Sequence, residues 1–340
     1  MKVPETITAL AAVGALILSG LALNATHEQN KANEQAQLAD RYTRAVAQLD
    51  QSGPEHLDGR IGAVYALERL ARDAPQNQPS VVEMLSAFVR ATRPAPVFGK
   101  GSEVSGPSCP APAALGQDAW AALIVLGRRD HARDGGTSTD LSRTCLNGID
   151  LSNLRLDGAV LKYAVLAGSD LSSAQLNGAD LNHAYLCSAK LDSADLVNAD
   201  LAGACLNNAT MIYTKMIGAN VSMVDAEGAN FTGAYLQNAQ ISMSRLKRAI
   251  FMEAEMRNVN LVASNLAEAQ ICQVDAAGAD LSSSNLSGAS LAGAFLVGAN
   301  LSDVNLSRVD FSRAQLTNAV HSGAVVSTPM FDGFTEGQWW

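Results

Sequence analysis

The sequence repeats with a period of five residues from residue 139 to residue 318. In a frame set on Leu141 and stepped by five to Leu316, all 36 positions fall in register without an insertion, and 25 of them are leucine. A second series lies two residues before each of these positions, and 22 of its members are alanine. Neither series contains a charged residue. A period of five fits neither an amphipathic helix nor an alternating strand, so it predicts a repeat architecture.

The spacing within each repeat has a simple structural interpretation. Residues two apart on an extended chain point to the same face, so the small and the large residue both face inward. The two residues between one large residue and the next small one are rich in Ser, Gly and Asn, which suit turns. A chain of short edges and turns winds into a solenoid with a narrow, filled interior. Only Ile149 and Leu154, near the start, are bulky members of the small series.

The segments "GADLNHAYL", "SADLVNADL" and "GANLSDVNL" resemble units of the A(D/N)LXX type found in the pentapeptide-repeat family. The resemblance implies a mainly β fold, a right-handed four-sided parallel β-helix with four repeats per coil and about nine coils over residues 139–318. Residues 20 apart would then lie above one another, and Phe231 should stack on Phe251. The column that contains them would read Leu191, Met211, Phe231, Phe251, Ile271, Leu291 and Phe311.

The N-terminal region contains an apolar segment, residues 6–23, without a charged residue. Its 18 residues are at the short end of the length of a membrane-spanning helix, and a secretory signal peptide is the alternative. Lys2 is offset by Glu5, and no clean cleavage site precedes "THEQNK". We therefore predict a transmembrane anchor over residues 1–26.

The charges that flank this segment predict its orientation. Lys31, Arg41 and Arg44 follow the segment, whereas only Lys2 and the terminal amine precede it. By the positive-inside rule, this distribution predicts a single-pass protein of the cell membrane whose C-terminal domains are cytoplasmic. The N-terminal helix makes the membrane itself one predicted partner.

Helical spacing and loop composition divide the rest of the chain. Leu38, Tyr42, Val46 and Leu49 form one apolar stripe, and Ser80 with Glu83 forms a capping box that opens a later helix. We predict a helical module at 27–92, a Pro/Gly-rich linker at 93–116, a helical N-cap of the β-helix at 117–138, and a C-terminal cap or tail at 319–340. The N-cap would plug the open end of the solenoid, and Phe331, Phe334, Trp339 and Trp340 could cover the other end.

The five cysteines were compared by their positions in the coils. Cys145 and Cys205 fall in one column but three coils apart, about 14 Å, which is beyond disulfide reach. Cys187 and Cys272 occupy another type of position and lie far apart in height. Only Cys109 could find a partner. This arrangement predicts free thiols, which suit a reducing cytoplasm.

The motifs that carry chemistry are missing from the sequence. "FGKGS" lacks the first Gly and the Ser/Thr of a phosphate-binding loop, and "HEQNK" lacks the second His of a zinc protease helix. No GxSxG segment is present. We therefore predict no catalytic, cofactor-binding or metal site, and a protein that is not an enzyme.

Two functions remain open, and surface charge bears on both. Residues 139–318 hold 17 acidic against 11 basic residues, and Asp180, Asp200 and Asp280 line one outer column. Some pentapeptide-repeat proteins are similar in being acidic rods that imitate DNA and bind type II topoisomerases. A group of basic residues interrupts the acidic surface here: Arg245, Lys247, Arg248 and Arg257. The preferred hypothesis is a structural or protein-interaction scaffold with an unidentified protein partner, no direct nucleic-acid binding and a possible homodimer.

Overall fold

The structure, a computed structural model, describes residues 5–96, 109 and 116–339, with side chains at Asn24 and from residue 27 onward. It contains four α-helices: α1 (Glu5–Leu49), α2 (Leu57–Asp73), α3 (Gln78–Thr92) and α4 (Gln117–Arg128). Within the described residues, three short 3-10 turns lie at Pro54–His56, Pro75–Asn77 and His131–Arg133. Pro54 and Pro75 each open a turn directly before a helix, where a missing backbone N–H costs nothing.

The chain divides into two compact units, Met1–Gln78 and Pro79–Trp340. In the first unit α1 packs against α2. The second unit contains nearly all of α3, together with α4 and the repeats. This division differs from the predicted boundary at residue 92, because α3 groups with the repeats and not with the helices before it.

The predicted membrane anchor could not be placed. In the part of the chain with described side chains, no helix has the length and apolar character required to span a membrane. Residues 6–23 lie outside that part, and the anchor stays a prediction.

Residues 140 to 336 wind into a solenoid whose coils pair through parallel β-bridges between residues 20 apart. One bridge forms on each of four sides of a coil: Asp140 with Val160, Cys145 with Val165, Asp150 with Asp170, and Arg155 with Gln175. The prediction of four repeats per coil is therefore confirmed. The bridges are isolated single-residue pairs, and no longer strands form in the described residues. The handedness of the coil stays a prediction.

Each corner of the coil contains one residue in the left-handed backbone region. Asn153 has a φ of 59° and Gly158 a φ of 62°, and the same position recurs at every corner. Glycine and asparagine tolerate this conformation best, which explains why the sequence concentrates them between the inward residues. Tyr163 and Met223 adopt it as well, with φ values of 57°. The repeat can thus hold large side chains at its corners.

The two inward series form the core of the solenoid. Phe231 and Phe251 are fully buried, and their rings stack with centroids 4.7 Å apart and planes 3° apart, as predicted. Serines in the small series are also buried, and their hydroxyl groups are satisfied by carbonyl groups of the preceding coil. Ser264 Oγ, for example, donates to Ile241 O at 2.9 Å. The core is therefore continuous and its serine hydroxyl groups are paired, whereas the buried Thr139 Oγ1 at its start has no hydrogen-bond partner.

Helix α4 covers the first coil of the solenoid. Leu123, Val125 and Leu126 are buried, whereas Trp120 remains 44% exposed. A Cβ on Gly127 would lie 2.8 Å from the side chain of Leu154, so the absence of a side chain at Gly127 makes room for that leucine. This contact explains why Leu154 breaks the small series.

Helix α3 and the residues after it also contact the first coil. Cys145 N–H donates to Arg93 O at 2.8 Å, and Ala95 N–H donates to Arg143 O at 2.7 Å. Arg90 forms an ion pair with Asp140 at 3.0 Å. The helix begins at Gln78, so Ser80 lies inside it and the predicted capping box does not open it.

The solenoid extends beyond the predicted end of the repeats. Val320, Val325 and Met330 continue the bridges of the previous coil, and Glu336 pairs with Gln315 after one extra residue. Residues 320–336, here called the last coil, thus form a further turn. Phe331 and Phe334 do not become buried over the end of the rod, being 52% and 72% exposed.

Candidate functional site

The acidic column of the solenoid takes part in its turns. Asp180, Asp200 and Asp280 each accept a hydrogen bond from the backbone N–H two residues further along the chain, at 3.2, 3.1 and 3.0 Å. Asn220, in the same column, makes the same bond to Ser222 N–H at 3.2 Å. Because a neutral amide does the same work, these carboxylates have a structural role that needs no ligand.

Two of these carboxylates also have side-chain partners. Asp180 lies 3.0 Å from Lys162 Nζ, and Asp200 accepts from Asn220 Nδ2 at 2.9 Å. Burial opposes the charged form of Asp180, but hydrogen bonds from Asn182 and Lys162 outweigh it and lower its pKa. The Asp180 carboxylate is therefore already held within the rod.

The basic residues that interrupt the acidic surface are paired with carboxylates of neighbouring coils. Arg245 lies 3.2 Å from Asp225, Lys247 lies 3.5 Å from Glu268, and Arg248 pairs with Glu227. On another corner, Arg257 lies 2.6 Å from Asp275. The middle of the rod thus presents a mixed network of both signs. A continuous acidic face, as a DNA mimic would need, does not form there.

One corner of the first coils bears a stack of flat side chains. The guanidinium carbon of Arg143 lies 4.6 Å from the centroid of the Tyr163 ring, which stacks on His183 at 5.2 Å. A Cβ on Gly203 would lie 2.5 Å from His183 Nδ1, so Gly203 leaves space for that ring. His183 is therefore both exposed and held in this stack.

Exposed large apolar side chains concentrate at the C-terminal end of the rod. The last coil contains Val320, Val325, Met330, Phe331 and Phe334, all of which are more than half exposed. Elsewhere in the described rod they occur singly or in pairs, as at Met223 and Met243. Val320, Val325 and Met330 lie on three successive sides of this coil, so the exposed apolar side chains surround the end of the rod. Exposed apolar area of this kind is typical of interaction surfaces.

The first unit contains a cleft of about 390 Å³ between α1 and α2. Its lining combines an apolar floor with three arginines: Leu38, Arg41, Arg44, Ala45, Gln48, Ala66, Arg69, Leu70 and Asp73. Arg44 pairs with Asp40 and Arg69 with Asp73, each one helical turn away. The arginines are therefore largely engaged with their own helices.

A buried group of titratable residues lies between α4 and the first coil. Arg129 Nη2 is 2.8 Å from Asp134, and both side chains are more than nine-tenths buried. His131 Nε2 lies 3.0 Å from Arg155 O, and its pKa is lowered by burial and by the charge of Arg129. These contacts fasten the cap, and nothing in their geometry resembles an active site. Across the residues with described side chains, no cluster suited to a metal ion was found.

The prediction of free thiols was wrong for Cys187 and Cys205, while Cys109, which the sequence left able to find a partner, is bonded to Cys145. Cys109 is bonded to Cys145 and Cys187 to Cys205, with Cα–Cα distances of 5.7 and 5.5 Å. Cys272 remains free. Cys187 and Cys205 are 18 residues apart, so they belong to different columns of the solenoid.

A separation of 18 residues recurs among side-chain contacts across one corner. The residue just after an inward leucine meets the bridge residue of the next coil, as in Lys162 with Asp180 and Asp192 with Thr210. Cys272 itself meets Ser290, whose Oγ lies 3.2 Å from Cys272 Sγ. A separation of 18 residues was therefore the sequence signal from which the disulfide between Cys187 and Cys205 could have been predicted.

The family description "Pentapeptide repeats" matches the chain in eight copies that together run from residue 155 to residue 320. This part of the chain belongs to the pentapeptide-repeat family. No curated protein matches the sequence.

Several solved structures of pentapeptide-repeat proteins are similar to the chain. HetL, which is involved in heterocyst differentiation regulation in the cyanobacterium Nostoc sp. strain PCC 7120, is 27% identical over 59% of this chain and 91% of its own, with a TM-score of 0.33. QnrB1, a plasmid-mediated fluoroquinolone resistance protein, is 19% identical over 56% of this chain and 90% of its own, with a TM-score of 0.35 in a trypsin-treated form.

Proposed function

We propose that this pentapeptide-repeat protein is a non-catalytic scaffold that binds a partner protein at its last coil. The concentration of exposed apolar side chains in residues 320–336 carries the proposal. The first coil is covered by α3 and α4, whereas no helix of the described chain follows the last coil. Among the described residues no further coil bridges to the last coil, so its backbone edges can pair with another chain.

The rod would hold this binding end at a fixed distance from α4, which covers its first coil. Stacked coils with a continuous core are rigid because each coil is fixed by its neighbours. The apolar segment 6–23 would anchor the chain to a membrane, and retention in the membrane fraction after an alkaline wash would test that part. A mature chain beginning near Thr26 would instead identify the segment as a signal peptide.

The docking surface can be tested by cross-linking the full-length chain in the cells that produce it. The double variant Val325→Lys/Met330→Lys should lose its cross-linked partner, since lysine removes the apolar contact without burying a charge inside the rod. The matched control Met223→Lys/Met243→Lys changes two exposed apolar residues on a corner and should retain the partner. A second copy of the chain as partner would appear as cross-links between copies. Equal loss in both variants would contradict the proposal.

The competing function is inhibition of a type II topoisomerase by DNA mimicry. The full chain should leave gyrase supercoiling unaffected, because the acidic column already serves the turns and the middle of the rod is mixed in charge. Duplex DNA carries one charge per roughly 1.7 Å, far more than the net charge of this surface. Inhibition that is relieved by high salt and lost on changing Asp180, Asp200 and Asp280 to Asn would favour the mimic instead.

A further inference from the structure

The disulfide between Cys187 and Cys205 joins two positions whose side chains meet across a corner of the solenoid. At this corner the residue after an inward leucine contacts the bridge residue 18 further on, and elsewhere the pair is an ion pair or a hydrogen bond. Cysteine occupies both members of one such pair. Their Cα–Cα distance of 5.5 Å lies within the usual range of a disulfide, so the bond forms without moving the backbone.

The disulfide between Cys109 and Cys145 is an independent observation, because it belongs to a different part of the molecule. It joins Cys109, in the segment between α3 and α4, to Cys145 on the first coil. The backbone N–H of Cys145 donates to Arg93 O, so Arg93 and Cys109 are both attached to Cys145. Cys272, the remaining cysteine, has Ser290 at the position where a bonding partner would stand.

We propose that the rod matures and works in an oxidising compartment, on the far side of a membrane from the cytoplasm. Disulfides form and persist in such compartments, whereas cytosolic thiols are kept reduced. Each bond would form by exchange with a disulfide-donating oxidoreductase. The two thiols lose two protons and two electrons, and the donor disulfide is reduced to a dithiol.

The N-terminal segment can serve this location in two ways. Residues 6–23 would either anchor the chain with the rod outside the cytoplasm or be removed as a signal peptide. Both routes oppose the orientation predicted from Lys31, Arg41 and Arg44. That prediction rests on three residues after the segment, and the two disulfides favour the other side.

The state of the thiols in the producing cells tests the proposal. Cells are quenched with acid, so that no exchange occurs during lysis, and the full chain is alkylated with N-ethylmaleimide before or after reduction. We expect one alkylated cysteine, Cys272, before reduction and five after it. Five alkylated cysteines before reduction would overturn the proposal.

Two variants make the count specific. Cys272→Ser should leave no reactive thiol before reduction and four after it. Cys205→Ser should release Cys187 and give two reactive thiols before reduction, at Cys187 and Cys272. An unchanged count of one in Cys205→Ser would show that Cys187 is not bonded to Cys205.

A second measurement tests on which side of the cytoplasmic membrane the rod lies, independently of whether its thiols are oxidised. A membrane-impermeant maleimide is applied to cells of the Cys205→Ser variant whose cytoplasmic membrane is intact. We expect Cys187 to be labelled without lysis, and labelling only after lysis would place the rod in the cytoplasm and overturn the proposal. Neither measurement depends on the last coil, so the docking proposal can fail while this one stands.

Discussion

At the scale of single residues, position within the repeat decides what a side chain does. Leu176 is fully buried, whereas its neighbour Gln175 is exposed on a bridge position. A carboxylate at a bridge position, such as Asp170, is neither core nor free surface, because it accepts Ser172 N–H at 3.0 Å. Substitutions at adjacent residues should therefore change the free energy of unfolding by very different amounts.

Leu176→Ala should lower the free energy of unfolding by about 2–5 kcal/mol, the usual cost of a large-to-small change in a core. Gln175→Ala should change it by less than about 0.5 kcal/mol. Urea denaturation of the two full-length variants, followed by circular dichroism, measures both. Similar losses in the two would contradict the assignment of inward and outward positions.

Asp170 links stability to pH. Hydrogen bonds from Ser172 lower its pKa below the ordinary value of 3.8. A lowered pKa contributes stability that is present above pH 3.8 and is lost as the pH falls through the folded-state pKa. Asp170→Asn keeps an acceptor for the Ser172 N–H but does not titrate, so its unfolding free energy should fall less steeply below pH 3.8. An equal slope in variant and wild type would sink this account.

At the scale of elements, the caps and the coils are held by different forces. The coils rely on apolar side chains and repeated backbone bridges, whereas the cap formed by α4 depends on a buried ion pair between Arg129 and Asp134. Breaking one side of a buried pair leaves an uncompensated charge. The cap is therefore sensitive at a residue that is not part of the repeat.

Arg129→Met should lower the free energy of unfolding by about 3–5 kcal/mol, because Asp134 would stay buried without its guanidinium partner. The nearby pair Arg133–Asp130, with N and O atoms 3.0 Å apart, is exposed, so Arg133→Met should cost less than about 1 kcal/mol. Thermal and urea unfolding of both variants measures the difference. A cost for Arg129→Met as small as for Arg133→Met would mean that the pair does not hold the cap.

The sequence predicted the coils well because their period is local. The type of residue at each position of the repeat indicates whether its side chain faces inward or outward. It did not predict that α3 packs on the first coil, since an apolar stripe indicates that one face of a helix is buried but not which element covers it. The last coil was missed because His321 and Glu336 stand where the repeat has large apolar residues. The bond between Cys187 and Cys205 was missed because corner contacts join residues 18 apart, while the columns join residues 20 apart.

At the scale of the whole solenoid, the two ends differ. The first coil is covered by α3 and α4, whereas in the described residues the last coil forms β-bridges only to the preceding coil. In solenoids, stability is a sum over neighbours, so a coil with one neighbour opens more readily than one with two.

Hydrogen exchange of the full chain should show this gradient. The amides of Val320, Val325 and Met330 donate to the preceding coil at 2.9 Å, as Asp180 and Asp200 do. We expect the three amides of the last coil to exchange at least about tenfold faster than those two in the middle of the rod. Equal protection would indicate that something already covers the last coil. Mass spectrometry of overlapping peptides resolves the two regions.

The uninterrupted register of the repeats fixes the direction in which each surface of the solenoid faces. Four repeats complete one coil, so each repeat turns the chain by a quarter of a revolution. Deleting a single repeat would preserve the alternation of inward and outward side chains, yet every face beyond it would point 90° away from its former direction. The 36 repeats therefore act as an angular scale, and the number of residues between two surface features fixes their relative bearing. Whole coils could be gained or lost without changing where the last coil points, whereas single repeats could not.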